Sequence, residues 1–287
     1  MTVTRVEAAG SLPQEEFERR FGGLRRLYGP QGAQHVFDAH VVVVGIGGVG
    51  SWVAEALARS GVGHLTLIDL DHISESNTNR QIHALTDTFG QAKTGAMRER
   101  ILQINPAAQV HAVDDFVTPQ NWNELIAPAV ADGRTLAVID ACDQVSAKTA
   151  LAAWALDQRV WFATVGAAGG KRLGHLVEMA DLASTTHDPL LAQLRYRLRK
   201  HHGARREGEM GVMCVFSREP VAPPDASCVL PGESDGSLNC HGYGSSVAVT
   251  ATFGQCAAGW IVDRLASGKK TPPRPKSGGR GQNKAII

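Results

Sequence analysis

Val41-Val42-Val43-Val44-Gly45-Ile46-Gly47-Gly48-Val49-Gly50-Ser51 decides the fold. Four β-branched residues in an unbroken row describe a strand buried on both faces, as in a parallel sheet. The run stops at glycines. Ser51 to Ser60 (SWVAEALARS) then takes helical spacing and closes at Gly61, a natural C-cap. In that strand–turn–helix context Gly45, Gly47, Gly48 and Gly50 read as a phosphate cradle, because glycines let the backbone approach a ligand and a helix N-terminus offers N–H groups to anionic oxygens. Asp69, ending a second strand from His64 about 20 residues on, is placed to accept hydrogen bonds from ribose hydroxyls.

The alternation continues outward. A helix near 91–104 is stopped by Pro106, and a strand near 110–113, a helix near 121–130 and a strand at 136–139 follow. A helix from about 146 to 156 and a strand at 160–165 complete a β-α repeat, so the expected fold class is α/β: a doubly wound, mostly parallel Rossmann-like sheet with helices on both faces. The expected adenylating domain spans 20–268, with a core at about 41–170 and a C-terminal extension at about 171–268. Within the extension, 188–200 reads as helix and 203–244, rich in Gly, Pro and Ser, as a mobile loop covering the site. Residues 1–19 and 269–287 read as disordered ends; the tail from Lys269 has six basic residues, three prolines and no acid.

At 287 residues, 43% hydrophobic and 20% charged, the chain can bury a substantial core. Its formal charge of +1 does not announce a nucleic-acid binder, so local clusters must carry that argument. Five scattered cysteines without a C-x-x-C pair suggest reduced thiols in a cytoplasm and give no basis for structural zinc. Each is read as buried and inert. Gly242 to Val262 lacks charge, yet its Ser, Thr, Gly and Gln content reads as a buried helix and not a membrane insertion.

Gly loop and acid alone fit a nicotinamide or flavin enzyme as well as an ATP enzyme. The stretch after Asp69 discriminates: Asp71-His72-Ile73-Ser74-Glu75-Ser76-Asn77-Thr78-Asn79-Arg80-Gln81, then Lys93. A nucleoside triphosphate, and the pyrophosphate it releases on adenylation, needs fixed cations; Arg80 offers a forked donor and Lys93 a point charge. Asp140-Ala141-Cys142-Asp143 ends the fourth strand at the edge where such folds bind ligands. Asp143 is placed there to hold a magnesium ion carried with the triphosphate, whereas Asp140 reads equally as a cap or turn residue.

These residues resemble the ubiquitin-activating-enzyme-like superfamily, which includes the bacterial adenylyltransferases of molybdopterin and thiamine synthesis. The shared marks are GIGGVGS, Leu67-Ile68-Asp69, Asn77 through Gln81, Lys93, Ile104-Asn105-Pro106 and Asp140 through Asp143. The resemblance implies that Gly48 lies by the phosphates, Asp69 holds the ribose, Asn77, Arg80 and Lys93 contact the triphosphate, and Asp143 serves the metal. It also implies a homodimer lending an arginine across its interface, for which Arg26 in RFGGLRRLYG is the best match and Arg20 the alternative. RFGGLRRLYG, SNTNRQIHAL, QINP, DDFVTP, the Gly166–Gly170 loop, HDPLLAQLRYRLR, CVFSRE and VTATFG are similar to the branch that dehydrates threonylcarbamoyladenosine in tRNA. That branch adenylates a carboxylate with ATP and closes a ring with loss of AMP. Activation of a ubiquitin-like sulfur-carrier protein's C-terminus is the alternative, and the missing zinc cysteines count against it. Whether a monovalent cation orders the loops, and whether a sulfur-transfer (cysteine desulfurase) system cooperates, stays open.

Arg195, Arg197, Arg199, Lys200, Arg205 and Arg206, with His201 and His202, form a cationic stripe long enough to meet several tRNA phosphates. The basic tail adds a second contact, expected to be unstructured.

Overall fold

The computed structural model describes residues 13–225, 227 and 243–275. One seven-stranded sheet organises them, in the order β3-β2-β1-β4-β5-β7-β6. Its strands are β1 (His40–Val44), β2 (His64–Ile68), β3 (Gln109–Val113), β4 (Leu136–Asp140), β5 (Trp161–Val165), β6 (Val177–Asp181) and β7 (Met213–Ser217). Every pairing is parallel except β6 with β7. The expected doubly wound α/β fold is therefore present.

The valine run works as its composition requires. Val41 and Val43 join one apolar cluster, with α2 (Gly50–Arg59), α3 (Lys93–Ile104) and α7 (Val247–Ala266). Val42 and Val44 join the other, with α4 (Trp122–Ala131), α5 (Val145–Gln158) and α6 (Pro189–His201). Successive side chains point to opposite faces, so a strand covered on both sides favours an unbroken apolar run such as Val41 to Val44. α7 takes up the uncharged segment and packs on α2. Among the described residues no helix is long and apolar enough to cross a membrane.

Three expectations need correction. β7 lies inside the stretch expected to be a covering loop, and its burial between β5 and β6 makes the extension a continuation of the sheet. α1 (Gln14–Asp38) begins inside the end expected to be disordered, bends at Gly29 (φ 74°) and restarts at Pro30, which suits a first helical position. Residues 269–275, expected to be disordered, run back along the body and are hydrogen-bonded to it.

The amino edge of the sheet holds His40, 4% exposed, with Nδ1 3.0 Å from Asp132 Oδ2 and Nε2 2.8 Å from Thr66 Oγ1. Burial pushes its pKa down from 6.5 to about 4, against the pull of Asp132 and with the help of nearby His64 and His111. The folded state thus prefers neutral His40. Its contribution is fully present above pH 6.5 and is lost progressively as pH falls toward 4, reaching about 3 kcal/mol. Urea unfolding across that range should show the fall, and His40→Gln should flatten it; an unchanged slope contradicts the assignment.

Candidate active site

The carboxyl edges of β1, β2 and β4 converge on the glycine loop. Gly45 has φ +83°, and a Cβ there would lie 2.9 Å from the Ala141 carbonyl, so only glycine lets β1 turn against the exit of β4. A Cβ on Gly50 would overlap the Gly45 carbonyl oxygen, which closes the turn beneath it. No side chain caps α2; Ser51 N donates to Gly47 O, and Trp52 N and Val53 N to Val49 O, each at 3.1 Å, so the loop's own carbonyls close the first turn while the positive end of the helix dipole faces the loop.

Two buried groups fix the loop's Ile46 peptide from both sides. Asp69 Oδ2 accepts from Ile46 N at 2.6 Å, and His83 Nε2 lies 3.0 Å from Ile46 O. Burial pushes the His83 pKa down to about 4, so the ring is neutral and Nε2–H donates. Asp69 Oδ1 accepts from Asp71 N at 2.9 Å. Burial raises the Asp69 pKa, with Lys93 and the two backbone donors opposing it. A carboxylate has about four lone-pair sites, so two occupied ones leave capacity for ribose hydroxyls.

Arg80 lies over the loop: a Cβ on Gly48 would sit 3.4 Å from its Cδ. Trp52 Nε1 and Thr250 Oγ1 donate to its carbonyl at 2.9 and 3.4 Å, while Nη1 donates to Ser76 O and Asn79 Oδ1 at 2.7 and 3.0 Å. Lys93 is 6% exposed and its Nζ lies 2.6 Å from Asp71 Oδ2 and 4.0 Å from Asp69 Oδ1. A cation in the first turn of α3 opposes the helix dipole. The two aspartates offset that cost here, Asp69 nearly buried and Asp71 half-exposed.

Other predicted residues separate. Asn77 is buried and its Oδ1 caps Ser74 N at 3.0 Å, so it shapes the turn that carries Arg80. Asp143 is exposed just past β4, and Arg26 is exposed on α1. Asp140, read equally as a cap or turn residue, is fully buried: Lys148 Nζ donates to its Oδ2 at 3.0 Å, Thr164 Oγ1 donates to the same oxygen at 2.6 Å, and Cys142 Sγ donates to Oδ1 at 2.9 Å. The sequence reading missed this cluster and its neighbour, where Asp188 accepts from Ala167 N at 2.9 Å and lies 3.8 Å from Lys171 Nζ, pinning the Gly166–Gly170 loop. Burial, joined by nearby acids, pushes the Cys142 and Cys214 thiols well above their ordinary value. That disfavours a thiolate at either. Cys228 and Cys240 lie outside the described residues.

The cationic stripe is only partly available. Arg195 Nη1 donates to Leu182 O, Thr185 O and Thr185 Oγ1 at 2.9 to 3.0 Å, so it closes the loop before α6 and that nitrogen is already engaged. Arg199 donates to the carbonyls of Arg205 and Arg206, and Arg205 to that of Pro275. Arg197, Lys200 and Arg206 are exposed.

A parallel sheet whose glycine loop, acid and two flanking cations meet at one edge defines a nucleotide-binding α/β enzyme, and the chain belongs to the ThiF family, whose model matches residues 21–276. It is 45% identical over 259 residues, 88% of this chain and 95% of the relative, to the tRNA threonylcarbamoyladenosine dehydratase of Escherichia coli (strain K12). It is 40% identical over 260 residues, covering 89% and 96%, to the protein of that name from Haemophilus influenzae. The crystal structure of the E. coli enzyme in complex with ATP superposes with a TM-score of 0.77 at 43% identity, covering 90% of this chain and 98% of that one.

Proposed function

We propose that this chain is an ATP-dependent tRNA threonylcarbamoyladenosine dehydratase, which adenylates the carboxylate of the threonylcarbamoyl group on the adenosine beside the anticodon. The observation that carries the reading is Arg80 laid against Gly48 with Lys93 beside Asp69, in a chain aligning with 95% of a relative of that name. A carboxylate oxygen attacks the α-phosphorus in line and pyrophosphate departs. An internal nucleophile of the modification then attacks the activated carbonyl, the ring closes and AMP leaves; the net change is loss of one water from the nucleoside. Gly48, Asp69 and the α2 N-terminus hold the nucleotide, while Arg80 and Lys93 offset charge that grows on the phosphates.

Asp143 fits magnesium as a hard oxygen donor, and one carboxylate suffices where phosphates and waters complete the shell. A bound magnesium ion would neutralise charge on the triphosphate. A homodimer would bring Arg26 to the neighbouring site, and Arg197, Lys200 and Arg206 would meet tRNA phosphates. The proposed setting is the cytoplasm.

ATP–pyrophosphate exchange separates the readings. Exchange with tRNA bearing threonylcarbamoyladenosine, and not with the same tRNA lacking the modification, is the expected result. Exchange driven instead by a sulfur-carrier protein would overturn it.

A further inference from the structure

The proline-rich segment after α7 is anchored at three carbonyls. Trp161 Nε1 donates to Lys269 O at 2.8 Å, Arg159 Nη2 to Pro272 O at 2.9 Å, and Arg205 Nη1 to Pro275 O at 3.0 Å. Their three-residue spacing matches the repeat of polyproline II, whose backbone groups have no internal partners and accept outside ones. Pro272 and Pro275 are half-buried, while Lys269, Lys270 and Arg274 are exposed. Pro275 lies against Gly211, where a Cβ would come within 2.7 Å of its Cγ. Arg159 stands at the end of α5 as its left-handed C-cap, with φ 55°.

The anchors join the segment to α6. Arg199, on that helix, holds the carbonyls of Arg205 and Arg206, and Arg205 holds Pro275. Exposed Arg197, Lys200, Arg206, Lys269, Lys270 and Arg274 therefore belong to one linked surface, and Asp157, Glu207, Glu209 and Asp263 are exposed acids close to them in the chain. The chain beyond Pro275 adds Lys276, Arg280 and Lys284 and no acid.

Distance identifies the partner. The residue before α6, Asp188, grips Ala167 at the carboxyl edge, and the helix runs 13 residues, roughly 20 Å at 1.5 Å per residue, toward the anchored segment. Trp161 begins β5, so the anchors stand at the opposite edge of the sheet from the glycine loop. A ligand touching both must be long and carry regularly spaced negative charge.

We propose that residues 269–275 form a docked arm that follows the phosphates of an RNA stem while α6 bridges to the reacting nucleoside. This rests on the tRNA reading above. The anchors use tail carbonyls, so Lys269→Glu, Lys270→Glu and Arg274→Glu together reverse the surface charge and leave the tether intact. Binding of unmodified tRNA to the full chain should weaken about tenfold or more at low salt, and the log–log salt slope should shrink by about 2 to 3, close to one per lost phosphate contact. The KM for ATP should not change. Equal binding and equal slopes in wild type and variant would overturn the arm and leave the dehydratase reading intact. Loss of water from modified tRNA, followed on the wild type by mass spectrometry, tests that reading separately; a wild type that binds anionic lipid vesicles but no tRNA would overturn both.

Discussion

Lys93→Ala should lower turnover of the proposed adenylation by roughly two to four orders of magnitude, the effect of removing a donor worth ~3 to 5 kcal/mol in the transition state. Arg80→Ala should do the same. Arg80 lies against Gly48 and Lys93 beside Asp69, and in the proposed reaction the departing pyrophosphate would concentrate charge there. The ground-state nucleotide also has backbone donors and Asp69, so kcat should fall more than KM for ATP rises. Arg80→Lys should recover little, because Nη1 already serves Ser76 O and Asn79 Oδ1 and the fork's remaining donors are what a phosphate needs. Steady-state kinetics with modified tRNA is the check. Turnover within a few-fold of wild type in either alanine variant would remove that residue from the machinery.

Lys148→Met should destabilise the fold by about 3 to 5 kcal/mol, the cost of leaving one buried charge without its partner. Lys148 and Asp140 are both fully buried, and their ion pair sits under the exit of β4. Burial alone would lower the lysine's pKa, but Asp140 beside it raises it, so the ammonium form is the one the fold holds. Adding Asp140→Asn to Lys148→Met removes the orphaned charge, so the double variant should be more stable than the single one. Urea unfolding of wild type, single and double variants gives the coupling directly. A single variant within about 1 kcal/mol of wild type would show that the pair carries no such cost.

The nucleotide edge was legible because its signal is local: a valine run, glycines and a helix within twenty residues, with Asp69, Arg80 and Lys93 shortly after. β7 was not legible. Its sequence, Met-Cys-Val-Phe-Ser, is five residues inside a long polar stretch, and only pairing with β5 and β6 makes it a strand. β6 reads Val-Glu-Met-Ala-Asp and lies on the sheet's edge, where all five residues are only partly buried and polar ones are admitted, which hid it. Charge patterns were the least informative. Arg195 and Arg197 are two residues apart on α6, yet one closes a loop through three hydrogen bonds and the other faces water. His83 lay inside a quoted motif without a role, because its partner, the Ile46 carbonyl, is 37 residues away in the chain. Lys148 likewise depends on Asp140 and Thr164, 8 and 16 residues away, which share one face only after β4 and β5 pair.

The central claim is that the substrate's carboxylate attacks the α-phosphorus of ATP. It is tested most directly by placing a heavy-oxygen label in both carboxylate oxygens of threonylcarbamoyladenosine in tRNA and following the label through one turnover. One labelled oxygen in the AMP released, with its nucleoside lighter by one labelled water, is the predicted result; unlabelled AMP beside a dehydrated nucleoside would contradict adenylation of the carboxylate.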